Sequence, residues 1–289
     1  MSPQQQFEAE RSFLTQLAYR MLGSVQDAED VVQETFLRWH RQDIEKLAKP
    51  RAWLTRVATN LCLDRLRSSH QGPQYPGEWL PEPWITPEQE RQDLDDTLSL
   101  ALLSAIRRLS ATERAVFLLH DVFDYEFADI ASILDLQPAN CRQLASRARR
   151  HLSDSPPRQR DRELEQRLGL AFFRALREGE VEGLQKVLRE DVVMRSDGGG
   201  KVAAVHYPLH GREAVVRFFD RLFMRTKMLD GCTVHSCWFN AAPGFAVRHN
   251  GQIEAAYQFD LCEGLIQAVH IQRNPDKLTA LEQLLTANG

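Results

Sequence analysis

Apolar residues recur at helical spacing through the first seventy positions. Phe13, Leu17 and Met21 form one line, Val31, Val32 and Phe36 a second, and after Pro50 the set Trp53, Val57 and Leu61 a third. A period near 3.6 predicts helices throughout. LSLALLSAIRRLS and ATERAVFLLHDVF predict two more amphipathic helices, the second entered through Thr112. EFADIASILDLQPANCRQLASRARRHL then predicts a helix through Leu134, a tight turn at Asp135 to Gln137, and a last helix with Pro138 in its first turn, where proline is tolerated. On that last helix Cys141, Leu144 or Ala145, Ala148 and Leu152 face inward.

Beyond residue 160 the pattern changes. RDRELEQRLGLAFFRALREGE and VEGLQKVLRED predict two helices with apolar faces at Leu168, Phe172, Leu176 and at Leu184, Val187, Leu188. VVMRSDGGGK predicts a short strand into a glycine turn, and GREAVVRFFDRLFMR a third helix. CTVHSCWFN, GFAVRHN, QIEAAYQFDLCEG and LIQAVHIQR alternate or run apolar as four strands, joined by turn residues such as Asn250-Gly251 and Glu263-Gly264. Helices on one side of a curved antiparallel sheet make an α+β cone, and such cones enclose a pocket.

Composition marks the boundaries between these patterns. Residues 71–96 hold five of the thirteen prolines and seven acids against one base, so no regular element runs through their first half. SDSPPRQRD at 153–161 is a second break. The expected organisation is a helical module over 1–70, a linker over 71–96, a helix-turn-helix module over 97–152, and an α+β module over 160–289. The 289 residues, 43% of them hydrophobic, supply several real cores. No apolar run is long enough to span a bilayer, and MSPQQQFEAERSF lacks the layout of a signal peptide, which predicts a cytoplasmic protein without a membrane partner. The five cysteines are odd in number and form no CxxC pair, which argues against disulfides or a zinc site and predicts no metal or other cofactor.

Charge changes the picture in two places. The chain carries a net −4, yet Gln137–Leu152 holds Arg142, Arg147, Arg149 and Arg150 with no acid among them. Asn140, Gln143 and Ser146 share its outward side. The polar N-terminal part of such a helix suits base edges in a major groove, and arginines further along suit phosphates. RAWLTRVATNLCLDRLRSSH likewise offers Arg51, Arg56, Asn60, Arg65 and Arg67 around a single acid, Asp64. Basic, amide and aromatic groups on one helix suit phosphate contacts and base stacking. GSVQDAEDVVQETFLRW places Asp27, Glu29, Asp30 and Glu34 at the start of a helix, where negative charge suits the dipole; a solvated, well-capped face explains it equally well.

DAEDVVQETFLRW, KPRAWLTRVATNLCLDRLR and LSATERAVFLLHDVFDYEFADIASIL, in that order and spacing, resemble the extracytoplasmic-function sigma factors of bacterial RNA polymerase. The resemblance spans nearly all of residues 7–152. It implies two all-α sigma domains, region 2 over 1–70 and region 4 over 97–152, with the polymerase core (β′ clamp helices and β flap) and promoter DNA as partners. By position it assigns Asp30, Gln33, Glu34 and Phe36 to the polymerase. It assigns Arg51, Asn60, Asp64, Arg65 and Arg67 to the −10 element, and Asn140, Arg142, Gln143, Ser146 and Arg147 to the −35 element, with Arg149 and Arg150 beside them. Many relatives have a basic residue where Leu144 stands and a glycine where Ala139 stands, so the promoter sequence does not transfer. YPGEWLPEP, DGGGK at 197–201 and NPDKL at 274–278 are similar to a subgroup with a fused SnoaL-like domain, which implies a regulatory C-terminal module with a pocket able to take a small-molecule ligand.

SnoaL-like folds include isomerases and cyclases, so Asp197, His206, Tyr257, Asp260 and His270 are the titratable residues to weigh. Acid–base work needs an acceptor within hydrogen-bond reach of a carbon acid, and fold analogy does not supply one. The expectation is no enzyme and no catalytic residue; a cyclase or isomerase and a stand-alone helix-turn-helix regulator are the alternatives. DGGGK follows a strand without the spacing of a phosphate loop. Its expected use is a regulatory contact with the linker. Trp79 and Leu80 would dock into an aromatic-lined groove, Lys201 would lie near Glu78 and Glu82, and Asp197, Asp276 and Lys277 would take part.

Overall fold

The computed structural model describes residues 2–43, 47–71, 75–85, 98–152, 161–224 and 230–287. Two compact units result, one of residues 1–74 and 102–156, the other of 75–101 and 157–289. The described linker residues 75–85 therefore group with the C-terminal domain, as do residues 98–101 from the start of the expected helix-turn-helix module.

The first unit is helical: α1 (Pro3–Leu22), α2 (Val25–His40), α3 (Pro50–Gln71), α4 (Leu100–Ile106, whose first two residues group with the second unit), α5 (Ala111–Phe117, continued by a π turn over Leu118–Val122), α6 (Phe127–Leu134) and α7 (Pro138–Leu152). Local chemistry fixes the starts. Ser2 with Gln5 and Ser110 with Glu113 form reciprocal capping boxes, and Ser24 accepts the amide of Asp27. The entry to α5 is thus Ser110 rather than Thr112, because Ser110 has the glutamate three residues on. Asp135, with φ of 55°, closes α6 before the turn into α7. The buried stripe of α3 also differs from expectation. Leu54, Ala58 and Cys62 are buried, whereas Trp53, Val57 and Leu61 are half-buried. The helix is enclosed by α1, α2, α5 and α6, so its apolar arc is wider than one line, and Trp53 packs beside Trp39 with ring centroids 5.7 Å apart.

The second unit has α8 (Arg162–Glu178), α9 (Val181–Val187), β1 (Leu188–Asp197), β2 (Leu209–His210), α10 (Arg212–Phe219), β3 (Cys232–Phe239), β4 (Ala242–His249), β5 (Gln252–Cys262), β6 (Leu265–Gln272) and α11 (Thr279–Ala287). The sheet order is β2-β1-β6-β5-β4-β3. It is mixed rather than purely antiparallel, since β1 runs parallel to β6. The segment Leu188–Asp191, expected as the end of a helix, is strand: Leu188 pairs with Ile266 and buries fully in the sheet. Asn250-Gly251 and Glu263-Gly264 turn with positive φ at both residues, the geometry a tight right-twisted hairpin needs. Phe172, Phe173, Phe219, Phe245 and Phe259 form the main core between α8, α10 and one sheet face. Gly169 permits that contact, because a Cβ there would lie 2.1 Å from the Phe245 ring. Leu100, Phe239, Ala246, Leu278 and Leu281 form a smaller core.

Candidate functional site

Three helices of the first unit carry the residues assigned to polymerase and DNA. On α7, Cys141, Ala145, Ala148 and Leu152 are buried, which settles the inward face on Ala145 rather than Leu144. Asn140, Arg142, Gln143, Ser146, Arg147, Arg149 and Arg150 are all exposed. Arg142 lies over the Phe127 ring at 5.7 Å, and Arg149 donates to Asp121 at 2.7 Å. On α3, Asn60, Asp64 and Arg67 are exposed, with Arg67 donating to Asp64 at 3.5 Å. Arg65 turns back to α2 and donates to Asp27 at 3.0 Å and Asp30 at 3.5 Å. Arg51 pairs with Glu10 at 3.4 Å and sits 4.8 Å over Phe13. Gln33 is exposed on α2, Glu34 accepts from Arg38 at 2.9 Å, and Phe36 packs edge-on against Phe7. Arg65 and Asp30 thus meet each other, although position assigned one to DNA and the other to polymerase.

The helices before and after the linker also pack together within this unit. The Thr55 and Tyr125 hydroxyls are 3.0 Å apart, and Lys49 reaches Asp129 at 3.4 Å. Phe13 lies edge-on to Phe123, with centroids 5.0 Å apart. Arg114 is buried and donates to the carbonyls of Met21 at 2.6 Å, Arg107 at 3.0 Å and Ile106 at 3.2 Å. Burial lowers its pKa, and its donors are spent on carbonyl oxygens rather than on a carboxylate. The sequence does not mark out Arg114, because an arginine early in an amphipathic helix reads as a surface charge.

The second unit holds the linker. Asp197, fully buried at the end of β1, accepts the Tyr75 hydroxyl at 2.6 Å and the Leu80 amide at 2.9 Å. It also accepts the Gly199 amide at 2.9 Å and the Lys277 ammonium at 2.8 Å. Lys277 donates further to the Leu80 carbonyl at 2.7 Å and stands 4.2 Å from the Trp79 ring centroid and 4.9 Å from that of Tyr75. Gln272 donates to the carbonyls of Leu80 and Pro81, both at 3.2 Å, and Asn274 donates to the Tyr75 hydroxyl at 3.1 Å. Leu80 is fully buried. Further along, Asn240 exchanges hydrogen bonds with the Trp84 backbone and donates to the Leu98 carbonyl, and Ile85 bridges to Phe239.

The contact is therefore a polar cradle with a cation over two rings, not an aromatic-lined groove. The extended linker exposes its own N–H and C=O groups, which need partners once buried. Lys201 pairs with Asp276 at 2.5 Å, and Glu78 faces Arg195 at 3.6 Å, so Lys201 is not the partner of Glu78. The glycines serve close approach: Gly200, at φ of 71°, would place a Cβ 2.6 Å from Pro76. Sequence reasoning does not single out Tyr75, Gln272, Asn240 or Asn274, though Tyr75 and Asn274 lie inside YPGEWLPEP and NPDKL.

The titratable candidates do not converge on one centre. Asp197 is in the cradle and His206 is exposed near the linker, where its Nδ1 would lie 3.5 Å from a Cβ at Gly77. Asp260 and His270 do meet, at 2.7 Å. His270 alternates with Val269 and Ile271, so it points away from the main core that those two residues and Tyr257 join.

Residues 6–71 match the sigma-70 region 2 family, and residues 99–152 match sigma-70 region 4. A curated relative from Mycobacterium tuberculosis, described as ECF RNA polymerase sigma factor SigJ, is 38% identical over 76% of this chain and 73% of its own. A second from the same species, described as probable ECF RNA polymerase sigma factor SigI, is 35% identical over 74% of this chain and 84% of its own. The crystal structure of the M. tuberculosis SigJ matches with a TM-score of 0.76 and 31% identity, across 95% of this chain and 98% of that one.

Proposed function

This chain belongs to the extracytoplasmic-function sigma factors of RNA polymerase, and from that premise we propose that its C-terminal domain sets its activity by holding the linker between regions 2 and 4. As a sigma factor it joins core polymerase and directs promoter-specific initiation. The observation that carries the regulatory reading is the buried carboxylate of Asp197, which takes both the Tyr75 hydroxyl and the Leu80 amide of the linker. An undocked linker of about 25 residues samples many lengths, whereas a docked one presents fixed ends. Docking thereby limits which separations regions 2 and 4 can adopt on a promoter.

The residue assignments follow on the same reading. Asn140, Arg142, Gln143, Ser146 and Arg147, exposed on α7, read the upstream element with Arg149 and Arg150 on phosphates. Arg51, Asn60, Asp64, Arg65 and Arg67 serve the downstream element, and Asp30, Gln33, Glu34 and Phe36 the polymerase. Arg65 must leave Asp27 and Asp30 to reach DNA, an exchange of exposed ion pairs that costs little. Thr55–Tyr125 and Lys49–Asp129 hold the two helical regions together in the free chain, and promoter binding separates them. The C-terminal domain acts without catalysis, since Asp197 is committed to the linker and the Asp260–His270 pair points away from the main core. Work on polymerase places the protein in the cytoplasm; among the described residues no helix is long and apolar enough to cross a membrane.

Run-off transcription with purified core polymerase tests the reading. Full-length protein and a truncation after Leu152 should read the same −10 and −35 elements with different activities. Equal activities would refute a regulatory C-terminal domain.

A further inference from the structure

Between α10, the segment 203–205 and the inner face of β4, β5 and β6 lies a cavity of about 190 Å³. Cavities of roughly 150 Å³ already take a benzene ring. Phe218, Leu222, Val247, Ala255 and Ile271 give it apolar walls. Two hydroxyls, those of Tyr257 and Ser196, are set into these walls. Tyr257 is 3% exposed, its ring packed edge-on against Phe173, and its hydroxyl has no hydrogen-bond partner among the described residues. Ser196 is 4% exposed, and its hydroxyl likewise has no hydrogen-bond partner among the described residues. Both hydroxyls line the cavity and can hydrogen-bond whatever fills it.

The remaining polar lining decides what fills it. Arg273 spends one N–H on the Ala203 carbonyl at 2.5 Å, and its other side-chain donors make no hydrogen bond among the described residues. Glu254, the acid of the cavity, is already paired with His249 Nδ1 at 3.1 Å. Burial raises the Tyr257 pKa, so the phenol stays a neutral O–H donor at physiological pH. The two hydroxyls can donate or accept, so the guanidinium, a donor only and positively charged, sets the head group. We propose that this cavity binds a small, mainly apolar molecule bearing one carboxylate, which accepts from Tyr257 and Arg273 while its hydrocarbon part fills the space beside Phe218 and Ile271. Ser196 and Ile271 immediately precede Asp197 and Gln272 in sequence, so the cavity lies one residue from the linker cradle.

The full-length protein would be titrated calorimetrically with benzoate, benzyl alcohol and benzylamine, which share a ring and differ in head group. Benzoate should bind saturably and at least tenfold more tightly than the other two. Tyr257→Phe should weaken it about tenfold, equivalent to about 1.4 kcal/mol. Ala255→Leu, which fills the cavity, should abolish it, with circular dichroism reporting whether each variant keeps the wild-type fold; should Ala255→Leu not fold, Tyr257→Phe decides. No saturable benzoate binding, equal affinity for all three probes, preference for benzylamine, or benzoate affinity unchanged in a folded Tyr257→Phe or Ala255→Leu protein would each overturn the proposal.

Discussion

Replacing Asp197 with alanine removes the acceptor around which the linker cradle is built. In one step the Tyr75 hydroxyl, the Leu80 amide and the Gly199 amide lose this acceptor, while Asn274 still donates to the Tyr75 hydroxyl. Lys277, whose side chain is 11% exposed, loses its carboxylate and keeps its contacts with the Leu80 carbonyl and the two aromatic faces. Removing one member of a buried ion pair costs about 3–5 kcal/mol, because the other charge stays desolvated. Linker docking should weaken by that order. At about 1.4 kcal/mol per decade, 3 kcal/mol is roughly a hundredfold in the docking equilibrium. Amide hydrogen exchange reads it directly, since the Leu80 N–H is buried on Asp197 and is released when the linker lifts. Protection at Leu80 should fall by about two decades or more, and Tyr75→Phe, which removes one charge-assisted bond of about 1.5–3 kcal/mol, should cost one decade or more. Lys201→Ala is the contrast. Its pair with Asp276 is 55% and 62% exposed, so it is worth no more than about 1 kcal/mol and Leu80 should change by less than about fivefold. A change below tenfold at Leu80 in a folded Asp197→Ala protein would refute the cradle as the source of docking.

Other outcomes follow from the same geometry. Arg114→Met should destabilise the helical unit by about 3 kcal/mol in urea denaturation, since the buried bonds to Ile106 and Met21 and a part-buried one to Arg107 lose a charged donor. Gly200→Ala should loosen the linker, seen as faster proteolysis between residues 75 and 85, because φ of 71° is strained for alanine and its Cβ meets Pro76. Burial pushes the Cys62 and Cys237 thiols up to about 12, so at pH 8 a disulfide reagent should leave both unmodified until the protein is unfolded. Arg147→Ala with Arg149→Ala should abolish upstream-element selectivity, since each good pairing with a base edge is worth about 1–3 kcal/mol. The same double variant should shift stability by less than about 1 kcal/mol, because Arg147 is exposed and Arg149 makes only a half-exposed pair with Asp121.

The helices and hairpins were legible because their signals are local. Pro138 in a first turn and Asn250-Gly251 each act within four residues, although the cap of α5 was expected at Thr112 and lies at Ser110. Non-local pairing was not legible. Nothing in VEGLQKVLRED says that Leu188 will sit opposite Ile266, and only that pairing ends α9 at Val187 and makes the sheet mixed. The stripe on α3 shifted for a similar reason, since four neighbouring helices bury more of it than one apolar line predicts. In the cradle the anchors Trp79 and Leu80 were visible as apolar residues on a stiff segment. Their partners were not, because Gln272 and Asn274 look like ordinary polar positions near a strand end until the linker's carbonyl and hydroxyl groups arrive beside them.

The claim that linker docking governs sigma activity is tested most directly by promoter-specific run-off transcription with the Asp197→Ala, Tyr75→Phe double variant, run beside full-length protein and the truncation after Leu152. If docking is how the C-terminal domain acts, the double variant should reproduce the truncation and depart from full-length protein by several-fold. Activity indistinguishable from full-length protein, with the truncation alone differing, would contradict it.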